Sequence, residues 1–358
     1  MMRVLILANN DIGLYQFRRD LIAELLRNHE VYISLPYGDL VNPLVEMGCK
    51  FIDTPMDRRG MNPLKDLKLH KEYKRILNRV KPDLVITYTI KPNIYGGFAC
   101  RLKKVPYAVN ITGLGTAFEN NGLLRKMVTA MYREGLKKAK VVFFENSANR
   151  DLFVNENIIS TDQAVILSGA GVNLDHFTYT PYPHNDSFRF LFIGRVMQEK
   201  GIDELFEAMK RLIGEDENCF LDVVGPFEED YKEKLEEYEK AGWLKYHGYQ
   251  KDVRPFIKNC DCFVLPSWHE GMANTNLECA AMGRPVISSN IPGCMEAVVD
   301  DKSGYLCEPK DAESLYRVMK RMLECGEREE MGIVGRKHME KMFDKKKVVE
   351  ETIKSLQP

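Results

Sequence analysis

The sequence has no long apolar run. No window of the 358-residue chain approaches the ~18 consecutive apolar residues that a membrane-spanning helix requires, and the opening MMRVLILANN is too short in apolar residues for a signal-peptide core. The nine cysteines include no Cys-x-x-Cys pair and no His/Cys cluster with zinc spacing. We therefore expect a cytoplasmic protein whose thiols are buried and unpaired.

Several catalytic motifs are also missing. There is no G-x-x-x-x-G-K-[ST] phosphate loop, no H-E-x-x-H zinc helix and no Asp-x-Asp pair, and Gly113-Leu114-Gly115 is not completed to G-x-G-x-x-G. These absences count against a kinase, a zinc protease and a simple dinucleotide-binding enzyme. The glycine run itself fits either a tight strand-to-helix turn or a close approach of the backbone to a substrate.

Charge is unevenly distributed along the chain. Residues 1–170 contain 25 Lys and Arg against 17 Asp and Glu, a net charge of +8, whereas the remainder contains 26 against 35, a net charge of −9. A chain of this length usually exceeds one hydrophobic core, so two domains are expected. The asymmetry indicates that the two halves meet different partners.

Short apolar runs alternate with helical patterns in both halves. Their positions are 3–8, 31–35, 84–88, 106–111, 141–145 and 164–168, and then 188–194, 220–225, 244–248, 262–267, 285–289 and 304–307. This alternation predicts an α/β fold with two parallel sheets and crossover helices. The polar, proline-containing stretch 176–187 is predicted to be a linker. We expect the carboxyl ends of both sheets to meet at one ligand-binding cleft.

Two glutamates, Glu270 and Glu278, are separated by seven residues in HEGMANTNLECAAM. A strand is predicted before them, and the polar residues 274–276 favour a helix start, which places Glu270 on a loop and Glu278 about one turn into a helix. Free N–H groups at a helix start favour an anion, and the small residues leave room for it. Because phosphate would repel a carboxylate, we expect the glutamates to bind sugar hydroxyls that flank the anion. The alternative is that Glu278 only stabilises its own helix start.

A second cluster follows the first predicted strand of the second half. In FIGRVMQEKGIDEL, Gly194 ends the strand, and Arg195 and Lys200 bracket a turn before Gly201 and a helix. Two cations at the mouth of a sheet can neutralise a diphosphate, Arg195 as a planar fork and Lys200 as a point charge. The alternative for such loop cations is simple solvation, and the nearby pair of glutamates favours the binding role.

These motifs resemble those of the retaining glycosyltransferases of family 4, which have the GT-B fold of two Rossmann-like domains facing each other across a cleft. The matching elements come in the family's order over some 130 residues: SGAGVNLDHF (168–177), GRVMQEKG (194–201), VGPFEE (224–229), HGYQKDV (247–253), the two glutamates, and GRPVISSNIPGCMEAV (283–298). In the first half, TYTIKPNIYGG and NITGLGTAF are similar to the bacterial branch that builds capsules and other surface polysaccharides.

The resemblance implies an acceptor-binding domain at 1–175, a donor-binding domain at 186–341, and a C-terminal helix, 342–358, that packs back on the first domain. It implies a retaining hexosyltransferase that moves a sugar from a nucleotide-diphosphate donor, UDP being favoured, to a lipid-linked oligosaccharide. Two alternatives remain open. One is another GT-B enzyme, such as a nucleotide-sugar epimerase or a phosphorylase, and the other is a non-catalytic subunit that binds a nucleotide sugar.

Carried over by position, the resemblance also implies residue roles. Arg195 and Lys200 would hold the diphosphate, Glu278 the ribose and Glu270 the transferred sugar. Residues 247–250 would line the base, and the backbone N–H groups of 271–273 would touch phosphate or sugar. The missing Asp-x-Asp pair fits a transferase that stabilises its leaving diphosphate with cations and helix dipoles, without a metal ion.

One departure from the family's pattern lies in the first half. In the bacterial branch a His commonly precedes Gly-Leu-Gly, near the reacting sugar, and this sequence has Thr112 there. We expect Thr112 to supply a hydrogen bond in its place. The candidate catalytic residues are therefore Glu270, Arg195, Lys200 and Thr112, and the candidate residues for binding the nucleotide-sugar co-substrate are Gly13, Gly194, Arg195, Lys200, Gly225, His247, Gly248, Tyr249, Gln250, Gly271, Met272, Ala273, Asn274 and Glu278.

Two basic segments of the first half, 58–81 and 123–140, combine cationic and apolar residues at helical spacing. Such helices can lie on anionic lipid. They can equally be crossover helices that pack an apolar stripe on the sheet and keep a basic face in solvent. Given the lipid-linked acceptors that the resemblance implies, we expect peripheral contact with the inner face of the cell membrane, and no contact with nucleic acid.

Overall fold

The computed structural model describes residues 1–57, 62–114, 118, 122–215 and 217–357. The chain divides into two compact units, which we call the N-terminal unit (Met1–Ala170 with Lys345–Pro358) and the C-terminal unit (Gly171–Asp344). Both units contain a parallel sheet with crossover helices, which confirms the predicted fold class.

The N-terminal unit is built on one sheet. Its strands are β1 (Arg3–Leu7), β2 (Glu30–Leu35), β3 (Lys50–Asp53), β4 (Leu84–Tyr88), β5 (Tyr107–Ile111), β6 (Val141–Phe144) and β7 (Ala164–Ile166). Among the described residues these seven strands pair in parallel in the order β3-β2-β1-β4-β5-β6-β7. The order reverses between β1 and β4, so their carboxyl ends form the topological switch point at which open α/β sheets bind ligands.

Helices pack on both faces of this sheet because successive strand residues point to opposite faces. In β1, Leu5 and Leu7 join one apolar cluster and Val4 and Ile6 join another. The helices of the unit are α1 (Asp11–Leu26), α2 (Val41–Glu46), α3 (Pro63–Val80), α4 (Gly97–Lys103), α5 (Leu123–Leu136), α6 (Ser147–Asn155) and, from the end of the chain, α13 (Lys345–Leu356). A π-helical turn, Pro92–Gly96, precedes α4.

The C-terminal unit repeats this architecture. Its strands are β8 (Phe188–Ile193), β9 (Cys219–Val224), β10 (Leu244–Tyr246), β11 (Cys262–Leu265), β12 (Val286–Ser289) and β13 (Gly304–Cys307). Its helices are α7 (Ile202–Gly214), α8 (Lys232–Lys240), α9 (Arg254–Asn259), α10 (Asn274–Ala281), α11 (Ala312–Glu324) and α12 (Arg328–Met342). Over the described part of this unit, six parallel strands pair in the order β10-β9-β8-β11-β12-β13, which puts the switch point between β8 and β11.

The polar stretch 176–187 is tied to the C-terminal unit by one buried cation. The Arg284 guanidinium is fully buried and donates to the carbonyl oxygens of Thr180 (3.1 Å) and Pro181 (3.0 Å), and also to those of Ile257 and Lys258 (both 2.9 Å). Burial lowers the pKa of Arg284. The guanidinium thus holds residues 180–181 against the C-terminal unit. These four hydrogen bonds all go to backbone carbonyl oxygens and none to a carboxylate.

The two basic segments form the crossover helices α3 and α5, although residues 58–61 of the first lie outside the described residues. Both helices bury an apolar stripe, including Tyr73 and Ile76 of α3 and Val128 and Tyr132 of α5. Some apolar side chains remain in solvent near their N-terminal ends, namely Leu64, Leu67, Leu123, Leu124 and Met127. Within the described chain, no helix has the length and apolar character to cross a membrane.

Candidate active site

Lys200 and Glu270, which are predicted to bind phosphate and sugar, come together at the switch point of the C-terminal unit. Arg195 and Lys200 lie in the loop after β8, and Glu270 lies in the loop after β11, the neighbouring strand. The Lys200 ammonium pairs with Glu270 Oε1, and both side chains are largely buried, 17% and 13% exposed. The Ser267 hydroxyl donates to the same carboxylate oxygen at 2.8 Å. The sheet topology thus joins two motifs that stand 70 residues apart.

The loop that carries Lys200 packs closely on the loop that carries Glu270. Gln198–Lys200 form a 3₁₀ turn that ends at Gly201, whose φ is +72°. A Cβ at Gly201 would overlap the carbonyl oxygen of Pro266. Glycine is therefore required at position 201, because the backbone is left-handed and because a side chain would overlap Pro266. The close packing of the two loops also fixes the position of the Lys200 backbone.

Arg195 is placed differently. Its side chain is 45% exposed, and Nη1 lies 3.6 Å from Glu228 Oε2 in the loop after β9. The loops after the three strands β8, β9 and β10 are also joined through backbone. Gly194 N–H donates to Val224 O at 3.0 Å, and Gly225 N–H donates to Gly248 O at 2.8 Å. The predicted residues Gly194, Gly225 and Gly248 therefore lie side by side at the carboxyl ends of these three strands.

The segment predicted to touch the base is anchored through His247. Its Nε2 lies 2.7 Å from Asp222 Oδ1, and the other oxygen of Asp222 accepts two bonds from Arg189, at 3.0 and 2.7 Å. Gln250 Nε2 donates to the His247 carbonyl oxygen at 2.7 Å. Tyr249, by contrast, is 52% exposed. The His247 imidazole is thus held by Asp222 of strand β9, whereas the ring of Tyr249 is exposed to solvent.

Helix α10 begins at Asn274, as the polar residues 274–276 predict, but without a side-chain cap. Glu278 lies about one turn into the helix and is half-buried. Among the predicted backbone donors, the Ala273 N–H already donates to Gly293 O at 2.7 Å, and Met272 and Ala273 are buried.

Two residues near Glu270 were not identified from the sequence, Gly293 and Glu296. Gly293 packs so closely that a Cβ there would lie 2.6 Å from Glu270 O and 2.7 Å from Gly271 O. Its N–H donates to Glu296 Oε2 at 2.7 Å. Burial raises the pKa of the Glu296 carboxyl above its usual value of 4.5. Both residues lie in the motif GRPVISSNIPGCMEAV (283–298), in which the sequence predicts no individual binding or catalytic residue.

The two remaining predicted residues lie in the N-terminal unit. Gly13 is in the first turn of α1, where its N–H donates to the capping Asn10 Oδ1 at 2.6 Å. Thr112 directly follows β5 and lines a pocket of about 240 Å³ together with Asn9, Asp57, residues 89–91 and Gly113. Gly115, the second glycine of the Gly-Leu-Gly run, lies outside the described residues. Among the residues that line this pocket, the sequence motifs point individually to Thr112 and Gly113 alone.

Comparison with known protein families identifies the chain. The family of "Glycosyl transferases group 1" matches residues 181–338, and the family "Glycosyl transferase 4-like" matches residues 3–146. The chain is a glycosyltransferase of these families. The group 1 match contains the loops that carry Lys200 and Glu270, and the 4-like match contains Thr112.

The glycosyltransferase is similar over most of its length to curated bacterial enzymes. It is 27% identical over 341 residues, 90% of each chain, to the N,N'-diacetylbacillosaminyl-diphospho-undecaprenol alpha-1,3-N-acetylgalactosaminyltransferase of Campylobacter jejuni. It is 28% identical over 323 residues, 84% of this chain and 82% of the relative, to the UDP-Gal:alpha-D-GlcNAc-diphosphoundecaprenol alpha-1,3-galactosyltransferase of Escherichia coli.

The fold of the glycosyltransferase is also found in solved structures. The structure of HepE from Anabaena in complex with UDP and glucose covers 99% of both chains with a TM-score of 0.81 at 15% identity. The GT-B fold that the motifs implied is therefore confirmed.

Proposed function

We propose that this glycosyltransferase moves a sugar from a UDP-sugar to a saccharide carried on undecaprenyl diphosphate, with retention of the anomeric configuration, in the synthesis of a bacterial surface polysaccharide. The names of the two relatives support the class of acceptor, and that of the Escherichia coli enzyme supports a UDP donor. The observation that carries the proposal is the pairing of Lys200 with Glu270 at the switch point of the C-terminal unit.

In this proposal the C-terminal unit binds the donor. Lys200 and Arg195 hold the diphosphate, Glu278 binds the ribose, and residues 247–250 face the base. A diphosphate that binds Lys200 competes with Glu270 for the ammonium. The freed carboxylate can then accept hydrogen bonds from hydroxyl groups of the transferred sugar. The ion pair between Lys200 and Glu270 thus holds both groups where the donor needs them.

The chemical step breaks the bond between the anomeric carbon and the diphosphate oxygen and forms a bond from that carbon to an acceptor hydroxyl. Negative charge develops on the departing diphosphate, where Lys200, Arg195 and the start of α10 stabilise it without a metal ion. For retention, the acceptor attacks from the face that the diphosphate leaves, and a diphosphate oxygen takes the acceptor proton. Thr112 supplies a hydrogen bond on the acceptor side.

We also propose that the N-terminal unit contacts the membrane that carries the acceptor. Residues 1–170 have a net charge of +8, and Leu123, Leu124 and Met127 are exposed in the first turns of α5 beside Lys126. Exposed apolar residues flanked by cations favour binding to anionic lipid surfaces. Because α5 buries its remaining apolar stripe, this contact would be peripheral and confined to the end of the helix.

The transfer reaction can be tested directly. Purified protein is incubated with radiolabelled UDP-glucose, UDP-galactose and their N-acetylated forms, each with and without an extract of undecaprenyl-diphosphate-linked saccharides. Label entering the lipid fraction only with the extract supports the proposal, and an α-linked product from the α-linked donor supports retention. Label found in a new nucleotide sugar without the extract would instead indicate an epimerase. Nucleotide binding without any turnover would indicate a non-catalytic subunit.

A further inference from the structure

Trp268 lies in the loop after β11, two residues before Glu270, and its indole reaches a neighbouring helix. The indole Nε1–H donates to Glu204 Oε1, in the first turn of α7, at 3.0 Å. Trp268 is partly buried, and a tryptophan N–H that leaves water usually needs such a partner. Because the acceptor is a carboxylate, the bond is stronger than one between neutral groups. The indole thus ties the loop after β11 to the start of α7.

The backbone of Trp268 makes a second tie, to the loop after β8. Its N–H donates to Glu199 O at 3.0 Å, and Glu199 directly precedes Lys200. The next residue, His269, places its Nε2 3.5 Å from Glu199 Oε2. Since Glu204 follows Lys200 by four residues, the two bonds of Trp268 hold the chain on both sides of Lys200.

A third loop covers the indole ring. Lys310, in the turn between β13 and α11, places its Nζ 4.4 Å from the centre of the Trp268 ring. A cation is attracted to the face of an aromatic ring, and the indole attracts it best. The indole is therefore held at its N–H by Glu204 and on its face by Lys310, which together fix its orientation.

The Glu204 carboxylate depends on this bond. Its Oε2 is buried and has no hydrogen-bond partner among the described residues, so the indole N–H is the hydrogen-bond donor that the carboxylate has. A buried charged group that loses its partner costs more than an ordinary lost hydrogen bond. Removal of the indole N–H should therefore displace Glu204, and with it the first turn of α7 that follows Lys200.

The ion pair between Lys200 and Glu270 does not hold the two loops together throughout the proposed reaction. A diphosphate that binds Lys200 takes the ammonium from Glu270, so this tie is broken while the donor is bound. The two bonds of Trp268 use neither of those side chains. They therefore persist in the donor complex and keep Lys200 and Glu270 directed at the same ligand.

We propose that Trp268 is a positioning residue of the donor site, which holds the loops of Lys200 and Glu270 together when the ion pair between them opens. It acts through its bonds to Glu204 and Glu199. The inference rests on the proposed donor-binding roles of Lys200 and Glu270 and adds the residue that keeps them together.

The ties are tested in the full chain by hydrogen exchange and mass spectrometry, without nucleotide. Trp268→Phe removes the indole N–H and keeps an aromatic ring, so exchange in peptides covering 197–201 and 266–271 should become about tenfold faster. Glu204→Leu should do the same, whereas Glu204→Gln retains an acceptor oxygen and should stay nearer to wild type. The matched control is Trp243→Phe, the other tryptophan of the chain, which should leave both peptides unchanged. Wild-type exchange in Trp268→Phe would overturn the proposal.

The consequence for the reaction is tested by initial rates of transfer. Trp268→Phe is expected to raise the donor KM about tenfold and to leave the acceptor KM unchanged, whereas a merely less stable variant would keep both KM values. The double variant with Glu204→Leu should be no worse than the weaker single variant, because both changes remove the same bond.

A wild-type donor KM in Trp268→Phe, or effects that multiply in the double variant, would overturn the positioning role and leave the transferase proposal intact. If the wild type transfers no sugar from any donor, the proposed function fails. The exchange measurement then still decides whether Trp268 holds the two loops.

Discussion

Glu296 Oε2 accepts the backbone N–H of Gly293 at 2.7 Å, and this bond supports the loop that carries Glu270. Gly293 in turn accepts the N–H of Ala273 at 2.7 Å and packs against the carbonyl oxygen of Glu270. The carboxylate of Glu296 thereby acts through Gly293 on both ends of residues 270–273. We regard Glu296 as a positioning residue for residues 270–273, the loop that we propose to bind the transferred sugar.

The pH dependence of stability should change in Glu296→Gln. Because burial raises the pKa of Glu296 in the folded protein, its contribution is fully present below the unfolded value of 4.5 and is lost as pH rises through the folded pKa. Glutamine has no charge to bury and can still accept the Gly293 N–H. The melting temperature of the variant relative to wild type should therefore increase from pH 4 to pH 7. Parallel curves would contradict this assignment, and the exposed Glu308→Gln is the control.

Glu296→Ala removes the acceptor as well as the charge. Leaving the Gly293 N–H unpaired should cost about 1–3 kcal/mol of folding free energy and loosen residues 270–273. We expect a higher donor KM than in Glu296→Gln when initial rates of transfer are measured. Equal KM values in the two variants would show that the hydrogen bond does not position the loop.

Lys200→Ala and Glu270→Ala should separate the two roles that we propose for the donor site. Each is expected to lower the rate of transfer by roughly 10²–10³-fold, the usual effect of removing one stabilising group. Thermal stabilisation by UDP should be lost in Lys200→Ala, because the ammonium is assigned to the diphosphate, and retained in Glu270→Ala. Normal transfer by either variant would refute the site assignment. Lys302→Ala, on the surface of the same unit, serves as the control.

Gly201→Ala and Gly242→Ala should differ sharply in stability. The φ angles are similar, +72° and +85°, so both variants incur about 1–2 kcal/mol of backbone strain. A Cβ at Gly201 would also overlap the Pro266 carbonyl, whereas a Cβ at Gly242 meets no described atom within 4 Å. Urea unfolding should show a large loss for Gly201→Ala and a small one for Gly242→Ala. Equal losses would mean that the loops of Lys200 and Glu270 do not pack as described.

The membrane proposal predicts sedimentation with anionic vesicles at low salt and release at high salt, since salt screens charge attraction. Replacing Leu123 and Leu124 by Ser should weaken vesicle binding at least tenfold, because both apolar side chains are exposed and available to the lipid surface. Val45→Ser, an exposed apolar residue on α2, is the control. Binding that is indifferent to lipid charge would rule the proposal out.

The sequence singles out the cluster of Lys200 and Glu270 more clearly than the pocket around Thr112. Lys200 and Glu270 stand in motifs whose residue types already suggest phosphate and sugar ligands, and parallel strands bring such motifs together. The pocket around Thr112 is lined by Asn9, Asp57 and Thr89, which are single polar residues in three separate loops. The left-handed φ of Thr89 could not be predicted from the sequence, because Thr rarely adopts a left-handed backbone conformation.

The strands also differ in how well the sequence predicts them. Central strands such as β4, LVITY, are buried on both faces and give continuous apolar runs. The edge strand β3, KFID, was not predicted, because it is four residues long, partly exposed and begins and ends with charge. Helix α1 begins at Asp11, because the side chain of Asn10 caps it by accepting the Gly13 N–H.

Helix α13 belongs to the N-terminal unit although it is the last helix of the chain. Lys140 donates to the carbonyl oxygen of Leu356 at 3.0 Å, and Lys345 lies 3.6 Å from Asp20. During synthesis the first unit to leave the ribosome is therefore the last to be completed, since α13 emerges only after the whole C-terminal unit. A nascent chain stalled before residue 345 would expose the apolar surface that Val348 and Leu356 cover in the folded protein, and such surface favours aggregation.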